Sequence, residues 1–171
     1  RCGHMEEKML ISTNEMVGKI QAAADARTDE NFLIVARTDA RTVLGFDEAI
    51  TRANIYADAG ADVIFVESPL SMEELEKIPK LVKAPVMINM SEGAKTPILT
   101  NAELQEMGYK IVIWPSSVTW AVAGAIKRTL QELKENGNTE NLLNEMITFH
   151  DFNKLLGLEK IMEESKRYKQ V

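Results

Sequence analysis

Polar side chains follow each of four short apolar runs in this sequence, and they are the first candidates for chemistry. They are Arg37-Thr38-Asp39, Glu67-Ser68, Asn89 with Ser91-Glu92, and Pro115-Ser116-Ser117. A planar guanidinium binds a carboxylate or a phosphate, a glutamate holds a hydroxyl or a metal-bound water, and Asn and Ser orient a carboxylate. If the four runs are parallel strands, the side chains at their carboxyl ends meet in one pocket.

Each of these residues also has a structural interpretation. Arg37 could pair with a neighbouring aspartate, and Glu67 could lie at the surface or in an ion pair. Asn89 and Ser91 belong to residue types that are common in turns. Asp39 is more typical of a helix N-cap, or of a partner to another polar side chain, than of a catalytic residue. The convergence of the four sets is therefore stronger evidence for a site than any single residue.

The sequence starts with Arg1-Cys2-Gly3-His4, which holds its only cysteine and one of its two histidines. A thiol next to a histidine and an arginine ionises more readily and can donate or accept a proton. Glu6 and Glu7 are nearby, but one short cluster supplies too few well-spaced ligands for zinc. Spacing alone leaves two interpretations, a thiol with a chemical task or a terminal segment without one.

Composition narrows the classes of function. The chain has 171 residues, is 45% hydrophobic and carries a net charge of -6. Its charges are mixed along the chain rather than gathered in blocks, so we expect no nucleic-acid partner and no membrane partner. The longest apolar run, near residues 63–66, is far shorter than the ~20 residues of a membrane span, and no leader sequence precedes it. We therefore expect a cytoplasmic protein.

The periodicity predicts an α/β fold. Four continuous apolar runs, rich in β-branched residues, are typical of buried parallel strands: Phe32–Ala36, Val63–Val66, Pro85–Ile88 and Ile111–Trp114. Helical spacing predicts helices at Thr13–Arg27, Asp47–Ala59, Ser71–Val82, Asn101–Met107, Val118–Glu135, Thr148–Leu155 and Leu158–Tyr168. This alternation fits an open doubly wound sheet or a closed barrel of eight strands. The absence of a glycine-rich nucleotide motif favours the barrel, of which four strands make one half.

Several motifs occur in a definite order along the chain. They are Arg1-Cys2-Gly3-His4, Ala23-x-Asp25-Ala26-Arg27, Ile34-Val35-Ala36-Arg37-Thr38-Asp39-Ala40, Ala59-Gly60-Ala61-Asp62, Phe65-Val66-Glu67, Asn89-Met90, Lys95-Thr96-Pro97 and Gly108-Tyr109-Lys110. In combination they resemble the isocitrate lyase and phosphoenolpyruvate mutase superfamily. The resemblance implies a single partial domain over residues 1–171, the C-terminal half of a TIM-type (β/α)8 barrel comprising strands five to eight. Residues 1–11 would be the remnant of a catalytic loop, and residues 138–171 a C-terminal helical extension.

The same resemblance implies an activity. It is that of a magnesium-dependent lyase that breaks a carbon-carbon bond of a 2-hydroxy or 2-oxo di- or tricarboxylate through an enolate, with methylisocitrate, a 2-alkylmalate or oxaloacetate as examples. The Mg²⁺ ligands are expected in the N-terminal half of the barrel, so this chain alone would be inactive and would need that half as a partner. The resemblance also implies a homo-oligomer, and specifically a tetramer.

The resemblance assigns roles to individual residues. Cys2 would exchange a proton with the enolate, supported by His4, and Gly3 would let the loop backbone approach the substrate. Arg37 would clamp one carboxylate, and Glu67 would hold the substrate or a metal-bound water. Asn89 and Ser91 would bind a second carboxylate. The implied catalytic residues are thus Cys2 and His4, and the implied substrate-binding residues are Cys2, Gly3, Arg37, Glu67, Asn89 and Ser91, with no metal ligand in this chain.

Departures from the superfamily pattern bear on the substrate. Methylisocitrate lyases tend to have Thr-Glu-Phe-Gly where this chain has Ser91-Glu92-Gly93-Ala94, and an arginine where it has Trp120. Loss of that arginine favours a substrate smaller than a tricarboxylate. Two alternatives stay open: a phosphonate mutase or hydrolase acting on carboxyphosphonoenolpyruvate or phosphonopyruvate, and a non-catalytic half-barrel interaction module. Since the phosphonate enzymes generally lack Cys-Gly-His, Cys2 favours the lyase.

Overall fold

The computed structural model describes residues 8–168 and contains one parallel sheet of four strands. In chain order, and in the same order across the sheet, the strands are β1 (Val35–Thr38), β2 (Val63–Val66), β3 (Val86–Asn89) and β4 (Ile111–Ile113). Parallel neighbours in sequential order are what right-handed strand-helix units produce. The predicted α/β fold with a parallel sheet is confirmed.

Helices connect and follow the strands. They are α1 (Thr13–Ala26), α2 (Ala40–Val43), α3 (Phe46–Asp58), α4 (Met72–Leu81), α5 (Asn101–Met107), α6 (Ser117–Asn136), a 3₁₀ helix (Glu140–Glu145), α7 (Phe149–Leu155) and α8 (Leu158–Tyr168). Strand β2 and helices α5 and α8 have the predicted bounds. Helix α2 and the 3₁₀ helix were not predicted, because they have only four and six residues, too few to show a periodic pattern.

The predicted start of the first strand is wrong by three residues. Phe32 and Leu33 are apolar, but their side chains are 69% and 54% exposed. The Phe32 N–H donates to the Asp29 carbonyl, and its own carbonyl accepts from the Arg27 guanidinium. These bonds form a turn before the strand, so an apolar pair with good strand propensity stays outside the sheet.

Side-chain alternation gives the sheet two different faces. The face covered by helices carries a close-packed apolar core, which includes Ala36, Ile64, Val66, Val86 and Ile88 from the strands and Ala53, Tyr56, Leu75, Ile78 and Leu104 from the helices. These side chains are at most 2% exposed. The opposite face carries the register partners Arg37, Phe65, Met87 and Ile111. Register partners in a parallel sheet point to the same side. Arg37 therefore lies on the same face as side chains from the other three strands.

Local hydrogen bonds fix where helices begin and end beside the sheet. The Ser71 hydroxyl caps α4 by accepting from the Glu74 N–H at 3.2 Å. Thr100 and Glu103 form a reciprocal capping box at the start of α5. Helix α5 ends at Gly108, whose φ of 107° lies in the left-handed region that favours glycine. These caps define the loops that leave the carboxyl ends of β2 and β3.

The chain divides into two compact units, one up to Thr119 and the other from Trp120 onward. The first contains the sheet and helices α1 to α5. In the second, the Arg128 guanidinium lies 3.4 Å from the Glu145 carboxylate, and Asn141 Nδ2 donates to Glu132 Oε1 at 2.7 Å. No helix in residues 8–168 is both long enough and apolar enough to cross a lipid bilayer. The single partial domain over residues 1–171 stays a prediction.

Candidate functional site

The predicted polar residues on the strands gather at the carboxyl edge of the sheet. Arg37 is the register partner of Phe65, two residues before Glu67, and the Glu67 N–H donates to the Thr38 carbonyl at 3.0 Å. Continuing the register from Phe65 and Met87 sets Glu67 opposite Asn89. Side chains of opposite residues on adjacent strands are about 5 Å apart. The structure therefore brings Arg37, Glu67 and Asn89 together, while Cys2, Gly3 and His4 lie outside the described residues.

Arg37 forms a bidentate ion pair with Asp39. Its Nε donates to Asp39 Oδ2 at 2.8 Å, and its Nη2 donates to Oδ1 at 2.9 Å. Lys8 Nζ also donates to Oδ1, at 2.7 Å, and its side chain is only 8% exposed. Burial alone would raise the pKa of the Asp39 carboxyl, but the hydrogen bonds and charges of Arg37 and Lys8 outweigh it and lower this pKa below its ordinary value. Asp39 is thus an ionised anchor for the guanidinium.

The second carboxylate near Arg37 belongs to Glu67, which is 2% exposed. Glu67 Oε2 lies 3.3 Å from Arg37 Nη2, within ion-pair distance. The contact does not form a hydrogen bond, and this oxygen has no hydrogen-bond partner among the described residues. The Arg37 guanidinium also lies 5.3 Å from the centre of the Phe65 ring. The contacts with the aromatic ring and with the two carboxylates together orient the guanidinium.

Ser68 holds the other oxygen of Glu67. Its hydroxyl donates to Glu67 Oε1 at 2.9 Å, and both residues are buried. Ser68 has a φ of 57°, and it is the one residue other than glycine with a positive φ in the described chain. A left-handed backbone at a residue with a Cβ costs roughly 1–2 kcal/mol. Strain of this kind persists where the surroundings fix the geometry, as they do at functional sites.

The third group of polar residues follows β3. Asn89 Oδ1 is buried without a hydrogen-bond partner among the described residues, and Ser91 is 4% exposed. Glu92 Oε1 accepts a short hydrogen bond from Ser117 Oγ at the start of α6, whereas Glu92 Oε2 is buried and unpartnered. The hydrogen bond from Ser117 lowers the pKa of the Glu92 carboxyl below its ordinary value, and a hydrogen bond from the backbone of Glu92 itself adds a smaller effect in the same direction. The β3 loop and the start of α6 are thereby joined at this edge.

Sequence reasoning did not select Lys8 or Glu92 as site residues. Lys8 lies 31 positions before Asp39, and no local pattern connects residues so far apart. Glu92 was noticed among the residues that follow the strands, but a glutamate in a loop is ordinarily solvated. What distinguishes it is the burial of one oxygen, which depends on tertiary packing.

The described residues do not form a metal site by themselves. No group of three or more His, Cys, Asp or Glu side chains within residues 8–168 is placed to hold a metal ion. The unpartnered oxygen of Glu67 lies beside the positive charge of Arg37, which disfavours direct contact with a cation.

Comparison with known sequences gives consistent matches. The family model described as phosphoenolpyruvate phosphomutase matches residues 3–134. The 2,3-dimethylmalate lyase of Eubacterium barkeri is 45% identical over 98% of this chain and 58% of its own length. The 2-methylisocitrate lyase of Aeropyrum pernix is 46% identical over 92% of this chain and 50% of its own length. The chain thus spans about half the length of the curated relatives it matches.

Solved structures give the same picture. A crystal structure of 2,3-dimethylmalate lyase, a member of the phosphoenolpyruvate mutase/isocitrate lyase superfamily, matches with a TM-score of 0.83 and 32% identity over 98% of this chain and 56% of that one. Oxaloacetate acetylhydrolase with 3,3-difluorooxalacetate has a TM-score of 0.86 and 30% identity over 98% of this chain and 57% of that one. Phosphonopyruvate hydrolase with oxalate and Mg²⁺ has a TM-score of 0.78 and 27% identity over 97% of this chain and 60% of that one.

Proposed function

The chain belongs to the phosphoenolpyruvate phosphomutase family, within the phosphoenolpyruvate mutase/isocitrate lyase superfamily, and from this premise we propose that it is part of a lyase. The reaction is cleavage of a carbon-carbon bond in a 2-hydroxy or 2-oxo di- or tricarboxylate. The chain supplies strands five to eight of a (β/α)8 barrel, and a further polypeptide segment supplies the first four. Its coverage of 56–57% of two solved relatives supports this arrangement.

The observation that carries the proposal is the convergence of Arg37, Glu67 and Asn89 at the carboxyl edge. An arginine can bind a substrate carboxylate, while nearby acceptor oxygens can hold the substrate or a metal-bound water. Arg37 already donates two hydrogen bonds to Asp39, so a substrate carboxylate shares the guanidinium with Asp39 and Glu67. Ser91, buried two residues after Asn89, is the proposed hydroxyl contact to a second carboxylate.

Cys2 and His4 are the proposed catalytic residues, although they lie outside the described residues. The thiol exchanges a proton with the enolate left by cleavage, and His4 supports its ionisation. Gly3 lacks a Cβ, so its backbone can approach the substrate closely. Cys2 also contacts the substrate in this proposal.

Mg²⁺ is the proposed cofactor, and it would stabilise the negative charge of the enolate when bound. Its ligands are expected in the segment that completes the barrel. Support comes from the Mg²⁺ present in the phosphonopyruvate hydrolase complex. Removal of divalent cations with a chelator should abolish cleavage, and Mg²⁺ should restore it.

The direct test is product analysis with the native protein, purified with any polypeptide that completes its barrel. We expect release of an α-keto acid from 2-methylisocitrate or a 2-alkylmalate, or of oxalate from oxaloacetate. A dicarboxylate is favoured over a tricarboxylate because Trp120 stands where methylisocitrate lyases tend to have an arginine. Cleavage of none of these compounds would reject the proposal.

Phosphorus-carbon chemistry on a phosphonate is the second candidate. It is favoured by the structural likeness to phosphonopyruvate hydrolase and by the mutase description of the family model. The guanidinium of Arg37 suits a phosphonate as well as a carboxylate. Turnover of phosphonopyruvate alone in the same assay would favour this candidate over the lyase.

The second compact unit exposes large apolar side chains that suit contacts between subunits. Phe149, Leu155 and Tyr168 in the second compact unit are 86%, 74% and 83% exposed. Large exposed apolar side chains of this kind are typical of subunit contacts. We expect a cytoplasmic homo-oligomer, specifically a tetramer, and light scattering at micromolar concentration would detect a monomer instead.

A further inference from the structure

Three buried side-chain oxygens in residues 8–168 have no hydrogen-bond partner there, and all three are acceptors near the carboxyl edge. They are Glu67 Oε2, Asn89 Oδ1 and Glu92 Oε2. Buried acceptors are almost always paired, so each of these oxygens calls for a donor. A ligand can satisfy these oxygens only with an O–H or N–H donor, and neither a carboxylate nor an oxo group is a donor.

Glu92 differs from the other two. Glu67 Oε2 has the charge of Arg37 at 3.3 Å, and Asn89 is uncharged. Glu92 forms no ion pair with a lysine, arginine or histidine of the described chain. Hydrogen bonds to charged groups are stronger than those between neutral groups. Of the three acceptors, the Glu92 carboxylate would therefore gain most from a hydrogen-bond donor.

The Glu92 carboxylate is also held in place. Ser117 Oγ donates to Oε1, and this bond connects the loop after β3 with the first residue of α6. The Ala94 N–H donates to the Ser91 carbonyl at 3.2 Å, which closes a turn around Glu92. One oxygen is thus fixed by the protein, and the orientation of the other is set in advance.

We propose that Glu92 is a specificity-determining residue that accepts a hydrogen bond from the substrate's 2-hydroxyl group and thereby selects 2-hydroxy acids over 2-oxo and deoxy analogues. The assignment rests on the proposed function, because it assumes that a dicarboxylate binds at the carboxyl edge. A site built to pair with a hydroxyl rejects analogues without one, since its own polar group is then left unpaired.

Three ligands that differ at one carbon test the assignment. Malate, oxaloacetate and succinate carry a hydroxyl, an oxo group and two hydrogens at the second carbon. Their dissociation constants are measured by calorimetry on the native protein with any polypeptide that completes its barrel. We expect malate to bind at least about tenfold more tightly than the other two, the factor expected for a hydrogen bond to a charged group.

The Glu92→Gln variant keeps the size of the side chain but removes its charge. We expect it to abolish the preference for malate while binding succinate as the wild type does. Glu106→Gln is the matched control, an exposed glutamate on α5, and it should retain the preference. If Glu92→Gln does not fold, Ser117→Ala serves instead, since it keeps the carboxylate and removes only its anchor; we expect it to reduce the preference for malate.

Two results would overturn the assignment. One is a wild-type protein that binds the three ligands equally well. The other is a Glu92→Gln or Ser117→Ala variant that keeps the full preference, because a protein donor or a water molecule would then satisfy Glu92. Selective binding of malate without cleavage of any candidate substrate would reject the lyase proposal alone and leave the role of Glu92 intact.

Discussion

The two edges of the sheet each hold an arginine beside a carboxylate, and at the amino edge the arginine and the backbone both donate hydrogen bonds to that carboxylate. There, Asp62 Oδ2 accepts from Arg27 Nη1 at 2.6 Å and from the Ile34 N–H at 2.8 Å. Arg27 also donates to the Phe32 carbonyl at 3.2 Å. The network links the end of α1 to the chain entering β1 and β2. Such a closed network serves stability.

At the carboxyl edge the corresponding network is left open. Arg37 binds Asp39 through two hydrogen bonds, but it meets Glu67 only at ion-pair distance. One acceptor oxygen each of Glu67, Asn89 and Glu92 has no hydrogen-bond partner among the described residues. The difference shows that the same pair of residue types can stabilise the fold at one end of a strand and leave capacity for a ligand at the other.

The largest expected effect is on activity at the open edge. Glu67→Gln should lower kcat/KM by about 100-fold, as loss of an oriented charged group in an active site typically does. Steady-state kinetics measures the change. Glu74→Gln is the matched control, because Glu74 is also paired with an arginine, Arg41, at 2.6 Å. Equal losses in the two variants would show that Glu67 has only a structural role.

The next effect is on stability at the closed edge. Asp62→Ala should reduce the free energy of unfolding by about 2 kcal/mol, because the Ile34 N–H and the Arg27 guanidinium lose their acceptor. Both side chains of the ion pair are less than a third exposed, at 24% and 29%. Urea unfolding measures the change. Asp62→Asn keeps an acceptor and should lose less, and kcat/KM should be unchanged in both variants.

A smaller effect is expected from the strained backbone at the open edge. Ser68→Ala should be about 1 kcal/mol less stable than Ser68→Gly, because alanine keeps the cost of the left-handed conformation and glycine does not. Both variants lose the bond to Glu67 Oε1, so their difference isolates the backbone. Thermal unfolding of the pair provides the measurement. Equal stabilities would indicate that Ser68 carries no strain.

The smallest effect concerns acid stability. The folded pKa of Asp39 is below its unfolded value, so the carboxylate stabilises the fold above the unfolded pKa and this contribution is lost as pH falls through the folded pKa. Lys8→Met removes one of its two cations and should shift this loss to higher pH, with less than about 1 kcal/mol of change near neutral pH. Unfolding free energies measured from pH 2 to 6 would show the shift. Identical acid profiles would mean that Arg37 alone sets this pKa.

Much of the fold and part of the site could be predicted from the sequence. The β2 run and the α5 helix were placed to the residue, since continuous β-branched runs and capped helices depend on local interactions. The start of β1 could not be placed from the sequence, because the turn around Phe32 depends on Arg27, which also pairs with the distant Asp62. Arg37 was expected directly after β1 but lies within it, because the strand runs on to Thr38, whereas Asn89 closes β3 and Glu67 directly follows β2 as expected. The roles of these residues in binding stay predictions.

By itself, the sequence determined the alternation of strands and helices, the family motifs and the polar residues that follow each strand. These features depend on residue type and on short spacing, which the chain carries locally. The tertiary structure decided which polar atoms are paired. Lys8 neutralises Asp39 and Ser117 anchors Glu92 only because folding brings together residues 31 and 25 positions apart. Burial then leaves particular acceptors open, and no local pattern encodes that outcome because it depends on the packing of several distant segments.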